Sequence, residues 1–248
     1  MSATEPASTP LAPSDPAPPA GLRPLAPGVW CADARARLGG GVALPIRMTV
    51  VRLPDGTLWV HSPIRLTDEL VAELRALGPV AHLVSPNLFH HLFLAQAAER
   101  FPEARVWAPA GLEKKQKTIW IDVHLDVTAD WDGAFATLPI EGVSSMSEWV
   151  FFHRPTGTLI VTDLVFNLDD SARGMTRLLL RLTGAFDRLA RSRVWNLLVR
   201  DRGAFGTSLR RILELDFERV VPAHGAVIDT DAKAAMTEVL ARDVERGA

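Results

Sequence analysis

Short β-runs and helical segments alternate along this chain, and the cycle runs twice. That alternation constrains the fold most, because strands separated by helices build layered α/β structures rather than bundles or all-β sandwiches. ALPIRMTVVRL and TLWVHS flank Asp55-Gly56, which predicts a hairpin. Thr67 then stands as an N-cap, Leu70, Val71, Leu74 and Leu77 recur at helical spacing, and Gly78 closes the helix. VAHLVS reads as a short buried strand ending at Pro86. LFHHLFLAQAAERF reads as a helix with Pro102 just beyond it, and ARVWAP as the next strand. The second cycle holds the β-runs IDVHLDV, AFATLPIEG, EWVFFHR and TLIVTD, the last two joined by Pro155-Thr156-Gly157. A helical segment over about 170–200, a helix at 207–215, the strand FERVVPA and a terminal helix from about 230 complete it.

With 248 residues, 48% of them hydrophobic, the chain can fill one large core. The expected class is α/β: two sheets faced by helices in a single domain over residues 23–248, with a basic helical insertion at about 170–205. No internal sequence repeat accompanies the two cycles. The opening MSATEPASTPLAPSDPAPPAG carries too little apolar surface to offset chain entropy, so residues 1–22 read as a disordered tail. That stretch has neither a basic n-region nor an apolar h-region; with one cysteine in the chain, the expected location is cytoplasmic. No run of about 20 apolar residues predicts a membrane-spanning helix. A net charge of -2 gives no whole-molecule attraction to nucleic acid.

Between residues 171 and 211 the chain carries ten arginines against two acids, Asp187 and Asp201. At helical spacing Arg177, Arg181, Arg188 and Arg191 share a face opposite Leu178, Leu182, Phe186 and Leu189. A solvated basic face accounts for this pattern. A lid over an anionic small-molecule substrate and a membrane-surface contact are the functional alternatives.

Seven histidines, at 61, 82, 90, 91, 124, 153 and 224, are the candidates for chemistry. Lone Cys31 rules out a multi-thiolate zinc site, so any metal must be held by imidazole and carboxylate. His124 alternates with Asp122 and Asp126 and reads as an outer-face residue. His153, before Arg154 and a turn, reads as surface; His82 reads as a core histidine with a hydrogen-bond partner; His61, before Ser62-Pro63, can approach a cleft. His90, His91, Asp163 and His224 differ because each lies where an apolar strand gives way to a loop or helix, and layered α/β folds gather their sites beyond such strand ends. Read from the residues alone, they are either a metal cluster or buried, hydrogen-bonded polar groups.

At these residues the chain resembles the metallo-β-lactamase-fold superfamily, whose pattern is Thr-His-x-His-x-Asp-His after a strand, a later Gly-His, an Asp ending a strand and a last Gly-His-like motif. In LVSPNLFHHLFL, Ser85 takes the Thr place, Pro86 and Leu88 replace the first two histidines, His90 stands at the Asp place and His91 matches the last histidine. PIEGVSS offers Val143 where the Gly-His histidine belongs, while LIVTDLVFN and VVPAHG supply Asp163 and His224. HSPIRLTDEL, SPNLFHHLFL and the run from Asp163 to Asn167 look like an uncharacterised branch of that superfamily, a domain of unknown function. The resemblance implies a four-layer αββα sandwich. One metal site is erased (Pro86, Leu88, Val143) and the other kept.

From the resemblance, the expected centre is one divalent metal, zinc first and iron or manganese as alternatives, on His90, His91, Asp163 and His224. Asp163 and His91 are its catalytic residues, and an activated water would attack an ester, thioester, lactone or phosphoester. Asn87 would orient a ligand or cap the following helix. Glu148 would enter the emptied first site or lie at the surface as a strand-end carboxylate. A non-catalytic binding or scaffold role and an iron redox role are the rival readings.

Overall fold

The structure, a computed structural model, describes residues 19–38, 42–143, 145–168, 188–191 and 197–247. Seven strands form the first sheet in spatial order: β1 (Arg23–Ala26), β2 (Val29–Leu38), β3 (Val42–Arg52), β4 (Leu58–His61), β5 (Val80–Val84), β6 (Arg105–Ala108) and β7 (Val123–His124). Pairing is antiparallel from β1 to β4 and parallel from β4 to β7. The second sheet runs in the order β13 (Arg219–Pro222), β10 (Thr158–Val161), β9 (Trp149–His153), β8 (Phe135–Pro139). Here the β10–β13 pair is parallel. A ribbon of β11 (Phe166–Leu168) and β12 (Arg188–Ala190) stands apart. The helices are α1 (Asp68–Leu77), α2 (Leu94–Arg100), α3 (Leu112–Lys115), α4 (Arg202–Glu214) and α5 (Ala232–Arg246).

Three apolar layers follow from the period of two along each strand. In β4, Leu58 and Val60 join Leu70, Val71 and Leu74 of α1 and Leu94 of α2, whereas Trp59 turns the other way. In β10, Leu159 and Val161 face Phe205 and Leu209 of α4 and Met236 and Leu240 of α5, whereas Ile160 turns inward. The inward residues, with Val84, Trp131, Phe135, Phe151 and Val221, fill the space between the sheets. The result is a helix–sheet–sheet–helix sandwich, as expected from the sequence.

Several local expectations hold. The Asp55-Gly56 hairpin forms, with the Thr57 N–H donating to Asp55 Oδ1 at 2.9 Å. Thr67 caps α1 through Leu70 N–H, and Gly78 is required because a Cβ there would lie 2.6 Å from the Gly56 carbonyl.

Others do not. The helix read over 88–101 is helical only at Leu94–Arg100, because the Asn87 side chain captures the preceding backbone in a turn. IDVHLDV contributes only Val123–His124 as strand, and α4 begins at Arg202 rather than 207. β1 and β2 were not expected, yet β2 pairs with β3 over ten residues. Residues 19–22, assigned to the tail, are held by Ala20 N–H on the Asp33 carbonyl and Leu22 N–H on Glu73 Oε2. Arg188 belongs to strand β12, not to a helix. Arg191 forms a two-point ion pair with Asp243 of α5, at 2.6 and 2.8 Å, so its charge is committed to the fold. Residues 1–18, the Gly39–Gly41 loop, Arg177, Arg181 and most of the basic segment lie outside the described residues. Among the described residues, no helix is long and apolar enough to cross a membrane.

Candidate metal centre

The parallel pairs β4–β5 and β10–β13 bring four strand ends to one edge of the sandwich. Beyond β5, Ser85 Oγ donates to the carbonyls of Asn87 and His90, and Asn87 Oδ1 accepts the N–H groups of Phe89 and His90, both at 2.8 Å. This turn fixes which of the paired histidines faces inward: His90. Beyond β10 stands Asp163, and beyond β13 stands His224. Gly225 follows with φ of 97°, and a Cβ there would collide with the Asn167 carbonyl. Only glycine lets the chain pass the β11 ribbon at this point.

The three side chains converge. His90 Nε2, His224 Nε2 and the Asp163 carboxylate all lie within 4.8 Å of one another. His224 Nε2 is 3.2 Å from Asp163 Oδ1 and 3.1 Å from His90 Nε2, and His90 Nε2 is 3.5 Å from Asp163 Oδ2. His224 Nδ1 sits 2.7 Å from the Pro45 carbonyl, an acceptor, so Nδ1 carries the proton and a neutral His224 presents a bare Nε2 lone pair. That lone pair faces a carboxylate oxygen. A proton or a metal among the three groups would satisfy it, and the donor set of two imidazoles and one carboxylate suits a zinc-like divalent ion.

Surrounding contacts hold each of the three side chains in place. The His224 ring stacks on Phe166 at 4.9 Å and 6°. Buried Arg47 donates to the Pro222 carbonyl at 2.9 Å and to Asp33 at 2.7 Å, tying β13 to β3 beside the Pro45–His224 contact. Asn87 Nδ2 donates to Asp163 Oδ2 at 2.7 Å and reaches Glu148 Oε2 at 3.4 Å. Glu148 is buried, not a surface carboxylate, and accepts the backbone N–H groups of Thr162, Asp163 and Leu164. Burial and the Asp163 charge push the Glu148 carboxyl up to about 8, against those three donors. Burial alone would raise Asp163 too, but His90 first and His224 second, once they carry the proton the cluster needs, more than offset it and hold its carboxyl below the usual range.

His91 does not join the cluster. It is buried on the wall of the adjoining cavity, where burial first and Lys115 second push its pKa down. His82 accepts the Trp107 indole N–H at 3.0 Å as expected but is half-buried rather than in the core, and His124 is exposed as expected. His153 was expected at the surface; it is buried against Phe135 with Thr156 Oγ1 on its Nδ1, so burial pushes its pKa to about 4. His61 points between the sheets, stacked on Trp59, and Ser62 takes the cavity wall instead. Ser62 was missed in the sequence. Its signal was a polar residue directly after an apolar strand and directly before a proline.

Comparison with known proteins fits this geometry. The model of a family described as Domain of unknown function (DUF4336) matches residues 27–112. No curated protein matches the sequence. Among solved structures, TMB-1 is 14% identical with a TM-score of 0.64, covering 90% of this chain and 98% of its own. A metallo-β-lactamase from Pontibacter korlensis is 16% identical with a TM-score of 0.61, covering 89% and 98%. The metallo-β-lactamase FIM-1 from Pseudomonas aeruginosa, solved in a mono-zinc form, is 13% identical with a TM-score of 0.60, covering 96% and 97%. This is the metallo-β-lactamase fold. Pro86, Leu88 and buried Val143, read from the sequence as replacing the histidines of one metal, have side chains without a ligand atom. Beside them the Asn87 amide donates to Asp163 Oδ2. His90, Asp163 and His224 lie together.

Proposed function

We propose that this protein is a metal-dependent hydrolase with one metal, held by His90, Asp163 and His224. The observation that carries the reading is the convergence of three ligand atoms with the His224 lone pair turned into them by the Pro45 carbonyl. Three protein ligands leave a position open, as catalytic sites do and closed structural sites do not. That favours hydrolysis over a purely structural metal. Zinc suits the donor set best, with iron or manganese next. When bound, the metal supplies Lewis acidity and an activated water. Asp163 orients the centre, and His91, on the cavity wall, exchanges a proton with the bound substrate.

The cavity holds about 540 Å³ and is walled by Leu44, Ile46, Phe89, Phe93, Met146 and Phe166. An apolar wall of this kind favours an ester, thioester or lactone with an apolar acyl group over a phosphoester. Lys115, also on the wall, donates to the Leu88 carbonyl and lies 3.8 Å over the Phe89 ring, so it gives little support for an anionic preference.

Metal analysis of the purified protein tests the site. The expected content is one equivalent even in excess zinc, lost in His90→Ala and His224→Ala and kept in His91→Ala. Esterase activity should rise with acyl length from acetyl to octanoyl. Absence of stoichiometric metal in the wild type, or metal that survives both substitutions, would refute the centre. Stoichiometric metal with no hydrolysis of any ester, thioester or lactone would favour the non-catalytic reading.

A further inference from the structure

The two histidines of the centre are held by unlike partners. His224 Nδ1 faces a backbone carbonyl, which can only accept, so one tautomer is locked. His90 Nδ1 faces the Ser62 hydroxyl at 2.8 Å, and a hydroxyl can both donate and accept. Because His224 Nε2 is bare, the fitting His90 tautomer carries its proton on Nε2, toward His224 Nε2 and Asp163, and leaves Nδ1 to accept from the Ser62 hydroxyl. A metal held at Nε2 would require the proton on Nδ1, whose N–H would donate to Ser62 Oγ. The hydroxyl would rotate and the ring would stay in place.

We propose that Ser62 is a positioning residue, holding the His90 ring in one orientation through both tautomers so that metal enters a preformed site; this rests on the metal-centre reading above. The serine is held at some cost to the backbone. Ser62 has φ of 51°, in the left-handed region, and Pro63 follows it. Both the Cβ and a following proline disfavour that conformation. Its backbone N–H donates to the Val84 carbonyl at 2.8 Å, its side chain is buried, and its hydroxyl lies on the cavity wall between the ends of β4 and β5. Glycine would suit the backbone better, but only a side chain with a hydroxyl serves His90 in both states.

That contrast supplies the test. Zinc affinity is measured by competition with a chromophoric chelator in the wild type, Ser62→Gly and Ser62→Ala. Thermal unfolding is followed in chelator, and the imidazole nitrogen shifts are read by NMR. The expected result is zinc binding weakened about tenfold to a hundredfold in both variants, the range for losing a hydrogen bond behind a metal ligand. The metal-free Ser62→Gly protein should unfold no earlier than the wild type, because glycine relieves the left-handed backbone. Wild-type His90 should show its proton moving from Nε2 to Nδ1 as zinc is added. A merely structural serine would give the reverse: earlier unfolding with unchanged affinity. Variants that bind zinc as the wild type does would overturn the role of Ser62 and leave the centre intact. Covalent labelling of Ser62 by a fluorophosphonate would overturn it too, by making Ser62 a nucleophile. A wild type that binds no zinc would overturn both the centre and this assignment.

Discussion

Asn87→Asp exchanges one amide group for one oxygen, and the structure makes its effect calculable. Oδ1 would keep its two backbone donors, Phe89 and His90. The second oxygen would replace Nδ2, which lies 2.7 Å from Asp163 Oδ2. Two full charges at that distance repel by about 6 kcal/mol at an effective dielectric of about 20. The protein escapes by taking up a proton. It goes to the introduced carboxyl, because the two imidazoles hold Asp163 in its charged form. Protonating a carboxyl of ordinary pKa, about 4, at pH 7 costs about 4 kcal/mol, less than the repulsion. The penalty is therefore about 4 kcal/mol at pH 7 and about 1.4 kcal/mol at pH 5. The sign is that of a group whose pKa is raised on folding: its stability is intact below about pH 4 and is lost as pH rises. Urea unfolding of the variant and the wild type in chelator, at pH 5 and pH 7, measures both values. A variant within about 1 kcal/mol of the wild type at pH 7, with no slope toward pH 5, would show that the Asn87 amide does not face a charged Asp163.

Two further outcomes follow from groups at the edge and centre of the sandwich. Gly225→Ala should cost more than about 2 kcal/mol in urea unfolding and displace His224, since the added methyl meets the Asn167 carbonyl; a wild-type midpoint and wild-type zinc content would refute the packing. His61 is fully buried, neither ring nitrogen has a partner among the described residues, and burial pushes its pKa from 6.5 to about 3. Its unfolded form takes up protons first, so the wild type should lose stability as pH falls from about 6.5 toward 3, by about 1.4 kcal/mol per unit. His61→Leu should match the wild type at pH 7 and exceed it by roughly 3 kcal/mol near pH 4.5; identical acid profiles would refute the burial of an unpaired imidazole.

What was legible in the sequence was local. The Asp55-Gly56 turn, the Thr67 cap and the apolar faces of α1 each depend on residues within a few positions of one another, and each formed as expected. β2 did not announce itself, because its small and charged residues, among them Ala32, Asp33, Ala34 and Arg35, become a strand only through ten pairings with β3. The site divides along the same line. That His90, Asp163 and His224 terminate apolar strands is visible in one dimension, although the pair His90–His224 is 134 residues apart. Which neighbour at a strand end faces the site is not visible. At 90 and 91 the choice is made by an Asn87 side chain that turns two backbone N–H groups toward itself, directing His90 inward and leaving His91 on the wall. At 61 and 62 it is made by a left-handed φ that directs Ser62 toward the cavity and leaves His61 between the sheets. A strand fixes side-chain direction only while its period of two continues. The candidate ligands lie just past that limit, so their aim depends on single turn residues, and Asn87 and Ser62 shape this cluster as much as the three side chains that would touch a metal.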